Sequence, residues 1–402
     1  MTKNINEMSG VPPSERIRFT CTRYKPNKLT GAGFLHLVKL AEKARLINSR
    51  HPKLVIDGVN EFLQSSTFHS FEGRPKEGAV KNSFSATELE TALAFKDEQT
   101  KFAYLVYRYM FSVYPTQGIV SDFPLIVAIE PMSLCNLRCT MCFQADENYF
   151  NRSNLLMGRM DIGLYKELIN EMAENQPCGL VLASRGEPML HPQFIEMVKY
   201  AIEQDVIDVK INTNATALTE KKARELLETK LTTVVFSVDA GNKKEFEAIR
   251  IGANFDQIVA NIKRFNEIRE KEFPNSTTRT RISMTVFRGT QDTKEAEALW
   301  APMVDEFAIH SADYRLDIYE HPIILESKQC NLLWERVYIW WDGSVNPCDI
   351  DYKSNLCLGK VGKDISIQSV WNGEQMRQMR QNHANGRKSM HYPCNRCYGA
   401  GF

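Results

Sequence analysis

The sequence predicts an α/β protein: a partial (βα)6 barrel, a mostly helical extension before it, and a small hairpin-and-helix region after it. Two observations predict this class. Short apolar runs alternate with amphipathic helical patterns from about residue 125 to 320, which is typical of parallel strands joined by right-handed crossovers. Of the ten cysteines, three follow the first of these strands closely and four more form a set towards the end of the chain, which indicates sites for metal ions or clusters.

Size and charge indicate a soluble globular chain without a strongly charged partner. The 402 residues are 43% hydrophobic and 25% charged, with a formal net charge of +1. That balance provides no overall attraction to nucleic acid or to anionic membranes. No run approaches the roughly 18 apolar residues of a spanning helix, and the first residues lack the apolar segment of a signal peptide. We therefore expect a cytoplasmic protein that binds neither membranes nor nucleic acid.

The order of the patterns predicts three regions. Residues 1–120 form the mostly helical extension, because apolar residues recur at helical spacing within 34–41 and again within 85–114. Residues 121–325 form the barrel, and residues 326–402 form the hairpin-and-helix region. The dipeptide Asp342-Gly343 in that last region predicts a type I′ hairpin turn.

Six strands that alternate with helices are expected in the barrel. The apolar runs that predict them are 125–130, 179–184, 206–211, 232–239, 281–287 and 309–319. Active sites of such barrels lie at the carboxyl ends of the strands. The polar and cysteine motifs of the barrel region follow those strand ends, so they are candidates for one common site.

Three cysteines follow the first barrel strand. Cys135, Cys139 and Cys142 have the spacing C-x3-C-x2-C. Three thiolates can bind three corners of a cubane cluster and leave one iron open for a substrate or cofactor. A structural zinc site is the alternative, but such a site usually has four protein ligands. The spacing therefore favours an iron–sulfur cluster with one open iron.

The segment IEPMSLCNLRCTMCFQ resembles the cysteine loop of the radical S-adenosylmethionine (SAM) superfamily, and the resemblance covers about residues 125–400. It implies a [4Fe–4S] cluster whose open iron is chelated by SAM. It also implies reductive cleavage of SAM to a 5′-deoxyadenosyl radical, with a flavodoxin or ferredoxin as electron donor. Met141 stands where the family often has an aromatic residue, and Phe143, just after the third cysteine, is the candidate SAM contact.

The second barrel strand ends in Ser184-Arg-Gly-Glu-Pro188, which resembles the family's GGEP motif. The resemblance implies that Glu187 binds the amino group of SAM through charge-assisted hydrogen bonds. Gly186 would permit close backbone approach, while Arg185 replaces the first glycine of the motif. The alternative is a strand-ending turn with a solvated glutamate.

Later strand ends carry further polar residues. Asn214 and Ser237 follow or end the third and fourth strands, where relatives often have contacts to SAM. Arg250 lies in a segment that resembles the family's IR-x-G sequence and is a candidate partner of SAM's carboxylate. Capping or surface solvation would explain each of these three residues equally well.

A second cysteine set lies near the end of the chain: Cys330, Cys348, Cys394 and Cys397. A zinc ribbon is one interpretation, since paired cysteines with a long insert bind zinc tetrahedrally. The C-x12-G-x4-C stretch, however, resembles the opening of the SPASM domain that follows many radical SAM barrels. Only five residues follow Cys397, so the region resembles the shortened "twitch" form, which implies one auxiliary [4Fe–4S] cluster.

Two further residues are candidates for proton or hydrogen transfer. Asp349, next to Cys348, is a candidate general base, with Asp342 and Asp351 as rivals and a solvated loop aspartate as the plain alternative. Cys357 is a candidate hydrogen donor to a substrate radical, although unpaired cysteines are commonly small buried hydrophobes.

The predicted function is a radical SAM oxidoreductase that removes a substrate hydrogen. Our first hypothesis for the substrate is a carbohydrate, in particular a nucleotide-activated sugar that is oxidised or epimerised. The alternative is a peptide or protein that is modified at a side chain. A third class is a non-catalytic iron–sulfur or zinc protein, which the open position of the triplet and the Glu187 motif argue against.

Overall fold

The computed structural model of this chain confirms the predicted α/β class with a largely parallel sheet. It describes residues 20–23, 29–43, 52–66, 83–145, 156–286, 291–311, 318–320, 323 and 329–397. Within these ranges, no helix has the length and apolar character needed to cross a membrane.

Four helices of the described part of the chain precede the barrel. They are α1 (Gly31–Lys43), α2 (Pro52–Ser65), α3 (Ala86–Ala94) and α4 (Glu98–Gln117). α3 begins at a capping box of Ser85 and Glu88. α4 begins at Asp97 and ends at Gly118 in the left-handed conformation. The apolar faces of the four helices form a core of their own beside the main core of the barrel.

Ten described strands form one sheet. They are β1 (Thr20–Arg23), β2 (Ile126–Ile129), β3 (Gly179–Leu182), β4 (Asp208–Thr213), β5 (Thr233–Val238), β6 (Arg279–Val286), β7 (Glu306–Ser311), β8 (Arg336–Ile339), β9 (Ser344–Asn346) and β10 (Gly359–Lys360). Their order is β1-β7-β6-β5-β4-β3-β2-β8-β9-β10. β2 to β7 are the six predicted strands and are parallel neighbours. The sixth strand was expected over 309–319; it begins at Glu306, and 312–317 lie outside the described residues.

The helices between these strands cover the outer face of the sheet. They are α5 (Ile162–Glu174), α6 (Phe194–Glu203), α7 (Glu220–Thr229), α8 (Lys243–Ile249), α9 (Phe255–Glu272) and α10 (Thr293–Trp300). Asp161 and Thr219 cap α5 and α7 through their side-chain oxygens, as predicted. Every second strand residue, such as Val209 and Ile211, packs outward into the main core. The side chains between them therefore face the barrel lumen.

The helical extension covers the amino-terminal ends of the strands. The Tyr107 hydroxyl of α4 donates to Asp208 at the start of β4 (3.4 Å). The Thr87 hydroxyl of α3 donates to Glu306 at the start of β7 (3.1 Å). The Thr87 carbonyl accepts a hydrogen bond from Arg279 at the start of β6 (3.1 Å). The extension therefore closes the end of the barrel opposite to the predicted site.

The hairpin of the C-terminal region continues the barrel sheet. β8 pairs in parallel with β2, with Val337 opposite Val127, and β9 and β10 follow in antiparallel order. Val337 and Ile339 place their side chains in the main core. The two short helices α11 (Ile367–Trp371) and α12 (Glu374–Ala384) follow.

The predicted type I′ turn is wrong. Gly343 has a φ of 88°, but Asp342 is not among the described non-glycine residues with positive φ, whereas a type I′ turn requires positive φ at both central positions. Trp340 instead exchanges hydrogen bonds with Gly343 and Ser344 (both 2.9 Å), which closes a longer loop. The Asp342 carboxylate accepts from Ser344 N–H (3.1 Å) and stabilises this turn.

Candidate active site

The cysteine triplet lies on the loop that follows β2, at the carboxyl end of the sheet. A two-residue ladder pairs Cys139 with Arg250 and Arg138 with Ile251. The Cys142 N–H donates to the Cys139 carbonyl (3.0 Å). These contacts fix the loop to the segment after α8, so residues far apart in sequence share one site.

The environment of the three thiols fits a bound cluster. Burial raises the pKa of Cys135 to about 11 and that of Cys139 to about 12, and the Cys142 thiol adds to both shifts. Such thiols stay protonated at neutral pH unless a metal ion takes the place of the proton. Leu137 N–H already lies 3.4 Å from Cys135 Sγ, and Gln144 N–H lies 3.5 Å from Cys142 Sγ. Backbone donors of this kind stabilise cluster thiolates.

Gly186 allows the segment after β3 to pack on the cysteine loop. An added Cβ would lie 2.2 Å from the Met132 carbonyl oxygen and 2.6 Å from that of Leu134. The next residue, Glu187, donates its N–H to the Leu134 carbonyl (2.9 Å). Ser184, just before, has a φ of 114°, a strained conformation for a residue with a side chain. The segment thus makes a tight turn directly against the loop.

The Glu187 carboxylate joins the ends of β3 and β4. It is 2% exposed and accepts hydrogen bonds from Thr213 Oγ1 (2.7 Å), Asn214 N–H (2.7 Å) and Met189 N–H (3.1 Å). Burial raises its pKa, and these donors oppose that shift. A carboxylate has about four acceptor positions, so about one is left for another donor.

Asn214 and Ser237 occupy different surroundings. The Asn214 amide nitrogen lies 3.7 Å from Cys135 Sγ and donates to Asn136 Oδ1 (3.1 Å). Ser237 is half-buried on the lumen face of β5, whose alternate residues pack into the main core. Asn214 therefore contacts the cysteine loop directly, whereas Ser237 lines the barrel.

Arg250 is engaged by a partner that we did not predict. Its Nε lies 2.7 Å from Asp239 Oδ2, and both residues are buried. Burial disfavours the cation, but Asp239 and the Cys139 thiol outweigh it and raise the pKa of Arg250. The guanidinium stands between Asp239 and the cysteine loop, where its charge stabilises thiolates.

The four C-terminal cysteines come together in space. Burial raises the pKa of Cys348 well above its ordinary value, and Cys394 and Cys330 add to this shift. Burial also raises the pKa of Cys394 well above its ordinary value, and Cys330 and Cys397 add to that shift. Among the described residues, no three His, Cys, Asp or Glu side chains are placed to hold a single metal ion.

An aromatic bridge, formed by Phe143, Tyr352 and Tyr319, connects the two cysteine sets. Phe143 stacks on Tyr352 with ring centroids 4.7 Å apart, and Tyr319 meets Tyr352 edge-on at 5.2 Å. Cys142 packs on this apolar cluster from one set, and Cys330, Cys348 and Cys397 pack on it from the other. Phe143 is 1% exposed, and its predicted contact with SAM stays a prediction.

Sequence reasoning missed the ion pair of Arg185 with Glu130. Arg185 Nε and Nη2 donate to the two Glu130 oxygens (both 2.7 Å), and both side chains are almost fully buried. Arg185 Nη1 donates to the Tyr352 carbonyl (3.1 Å), and the guanidinium lies 4.2 Å from the Trp340 ring. One pattern could have predicted this pair: an acidic residue follows β2, and an arginine follows β3, the strand beside it.

The candidate acids and Cys357 are placed as follows. Asp351 is fully buried and accepts from Tyr319 and from Leu356 N–H (2.7 and 2.6 Å), so it holds a loop together. Asp342 belongs to the hairpin turn, and Asp349 is half-buried. Cys357 is exposed, and its thiol donates to a backbone carbonyl near β10 (3.3 Å). The roles of Asp349 and Cys357 stay predictions.

Two protein families match the chain. The Radical SAM superfamily matches residues 129–297. SPASM, described as an iron–sulfur cluster-binding domain, matches residues 330–398. The first range contains the cysteine triplet and most of the barrel, and the second contains the four C-terminal cysteines.

Curated relatives match over part of their length. A tungsten-containing aldehyde ferredoxin oxidoreductase cofactor-modifying protein of Pyrococcus furiosus is 32% identical over 28% of this chain and 30% of its own. A cysteine-type anaerobic sulfatase-maturating enzyme of Clostridium novyi is 32% identical over 36% of this chain and 41% of its own. The chain thus spans less than half the length of these two relatives.

Among solved structures, BtrN in complex with AdoMet and 2-DOIA has a TM-score of 0.47 and 17% identity, over 69% of this chain and 93% of that one. A likeness at this level does not bear on the substrate.

Proposed function

This chain belongs to the radical SAM superfamily and carries a SPASM domain, and from that premise we propose that it is an oxidative maturase that dehydrogenates a side chain of a peptide or protein. When bound, SAM and the reduced cluster supply a 5′-deoxyadenosyl radical. The substrate gives one hydrogen atom to that radical. It then loses a proton and an electron, so that the product has two hydrogens fewer.

The observation that carries this proposal is the aromatic bridge between the two cysteine sets. Because Cys142 and the auxiliary cysteines pack on the same cluster of rings, an electron that leaves the substrate at the barrel mouth has an acceptor nearby. Oxidation of a substrate radical requires such an acceptor. Cys330, Cys348, Cys394 and Cys397 would hold the auxiliary cluster, which would supply such an acceptor.

The chain's own residues divide the remaining tasks. Cys135, Cys139 and Cys142 hold the first cluster. Glu187 would bind the amino group of SAM with its remaining acceptor position. Arg250, paired with Asp239, would place a positive charge beside the thiolates of the cysteine loop. Gly186, Asn214, Ser237 and Phe143 complete the surroundings of SAM.

Asp349 is our candidate for the base that takes the proton. It is half-buried and directly follows Cys348, one of the four cysteines of the auxiliary set. A base must reach the proton directly or through one water molecule. A flavodoxin- or ferredoxin-type protein would deliver the electron that reduces the first cluster.

A relative favours a protein substrate over a sugar. The Clostridium novyi relative is a sulfatase-maturating enzyme, so the substrate in its name is a protein. Neither of the two curated relatives described above is named for a sugar substrate, the class that we first expected. Epimerisation through a thiol donor has little support either, because Cys357 is exposed on a surface loop.

The test is anaerobic turnover by the reconstituted, reduced enzyme. We expect pooled peptides, but not pooled nucleotide-sugars, to accelerate formation of 5′-deoxyadenosine, and one peptide to lose the mass of two hydrogens. A Cys394→Ala/Cys397→Ala variant should still form 5′-deoxyadenosine but should yield no dehydrogenated peptide. Acceleration by nucleotide-sugars alone, or full product formation by this variant, would refute the proposal.

A further inference from the structure

The barrel lumen is lined by polar side chains that are accessible to solvent. On β4, β5 and β6 the alternate residues pack outward into the main core, so the residues between them face inward. Three of these inward residues, Asp208, Thr233 and Val235, are buried. Six others are half-buried: Lys210, Asn212, Ser237, Arg281, Ser283 and Thr285. In a filled barrel such positions form a packed core. Their exposure therefore indicates an open lumen.

Lys210 is the cation of this lumen without a direct partner. No described residue lies within hydrogen-bond or ion-pair distance of its ammonium group. Burial lowers the pKa of Lys210 to about 8; Asp208 opposes this shift, and Arg281, Arg108 and Arg336 add to it. An ammonium group in such a place is costly unless an anion accompanies it.

Of the four arginines around Lys210, three form ion pairs with glutamates. Arg281 pairs with Glu306 at 2.6 Å, Arg108 pairs with Glu88 at 2.9 Å, and Arg336 pairs with Glu335. Asp208 accepts from Thr232 and Tyr107, and Arg279 donates to the Thr87 carbonyl. Counting Lys210, these groups comprise one more cation than anions, so this part of the lumen carries a single surplus positive charge.

Asn212 lies two residues beyond Lys210 on β4, towards the candidate site, and its side-chain oxygen lacks a hydrogen-bond donor within the described part of the chain. Its Oδ1 is buried and accepts no hydrogen bond from the described residues. A buried acceptor of this kind is normally satisfied by a protein group, a water molecule or a ligand. An amide N–H of a bound chain would satisfy it, while Lys210, two residues deeper, would face the end of that chain.

We propose that the lumen binds a carboxylate of the substrate peptide on Lys210, with Asn212 accepting from an amide N–H of the same segment. This inference rests on the proposed function and names the substrate class more closely, as a peptide whose modified part carries an acidic side chain or a terminal carboxylate. The single surplus charge selects a carboxylate. A phosphate, with a charge of about −1.5 to −2, would leave negative charge uncompensated in the lumen.

The first test is protection of Lys210 from acetylation, followed by peptide mass spectrometry on the reconstituted enzyme. The probes are N-acetylglutamate amide, with a side-chain carboxylate, and N-acetylalanine, with a terminal one. At least one of them should slow acetylation of Lys210 by about tenfold at saturation. Lys199, whose side chain is 65% exposed, is the internal reference and should not change.

Two further probes distinguish a carboxylate from an uncharged amide and from a phosphate. N-acetylglutamine amide, which differs from the acidic probe only in charge, should give no protection, and N-acetylphosphoserine amide should give less than the carboxylates. The carboxylate probe should bind wild type and Lys210→Arg, but not Lys210→Met, in saturation-transfer NMR. Protection by the glutamine probe, protection by the phosphate probe alone, or equal binding to Lys210→Met would overturn the assignment.

These readouts do not depend on turnover. Protection by a carboxylate probe without peptide oxidation would contradict the proposed function and leave the carboxylate site standing. Peptide oxidation without protection would contradict the carboxylate site alone.

Discussion

Replacing Arg185 with methionine tests whether the buried pair with Glu130 holds the auxiliary region on the barrel. Arg185 is 2% exposed and Glu130 is fully buried. In Arg185→Met, Glu130 keeps its burial but loses both guanidinium hydrogen bonds. The variant also loses the hydrogen bond to the Tyr352 carbonyl and the contact with the Trp340 ring.

The expected loss of stability is large. Removing one partner of a buried ion pair costs about 3–5 kcal/mol, because the other charge stays buried without compensation. The double variant Glu130→Met/Arg185→Met removes both charges and should recover most of that loss. We expect it to be more stable than Arg185→Met, because no charge stays buried without its partner. It still loses the cation–π contact, the carbonyl hydrogen bond and the two long hydrogen bonds that Glu130 accepts from the N–H groups of residues 185 and 341 (3.2 and 3.3 Å), each worth about 1 kcal/mol or less.

The assay is anaerobic urea unfolding of the reconstituted enzyme, with iron determined in parallel. Arg224→Met is the control, because its pair with Glu272 is exposed and such pairs contribute about 1 kcal/mol or less. Arg185→Met should also lose auxiliary iron before iron of the first cluster. A cost no greater than that of Arg224→Met, or a double variant as unstable as Arg185→Met, would refute the reasoning.

Three further predictions concern single positions. The pKa of Lys210 falls from 10.5 to about 8 on folding. Between these pH values the unfolded chain binds more protons than the folded chain, so stability rises with pH there. Lys210→Met removes this cost and should raise the urea midpoint at pH 7, and equal midpoints at pH 7 would contradict this. Gly186→Ala should prevent loading of the first cluster because the new Cβ would meet the backbone of the cysteine loop, whereas Gly362→Ala, with open space around it, should load normally in iron assays. Asp349→Asn should lower the yield of dehydrogenated peptide per 5′-deoxyadenosine by about 10²-fold or more, and Asp342→Asn, the turn control, should leave that ratio unchanged.

Local patterns were sufficient to predict the elements that carry the chemistry. The strands, the caps at Asp161 and Thr219 and the spacing of the cysteine triplet depend on residues close together in the chain. Such features follow from periodicity and from side chains that satisfy nearby backbone groups. The sequence therefore indicated both the class of the fold and the positions of the two cysteine sets.

Contacts between distant segments could not be predicted in this way. Arg185 meets the carbonyl of Tyr352 across 167 positions of sequence, and Phe143 stacks on the same tyrosine. Nothing in the local pattern around these residues specifies such a partner. The same holds for β8, which joins the barrel sheet beside β2 only because its apolar face completes the main core.

The most direct test of this account is iron content and SAM cleavage in three reconstituted proteins. Wild type should hold about eight iron atoms, four for each cubane, and should form 5′-deoxyadenosine when reduced. The variant Cys135→Ala/Cys139→Ala/Cys142→Ala should hold about four and form none. Cys394→Ala/Cys397→Ala should also hold about four but still form it. A fully loaded, reduced wild type that forms no 5′-deoxyadenosine, or a triplet variant that does, would contradict the account.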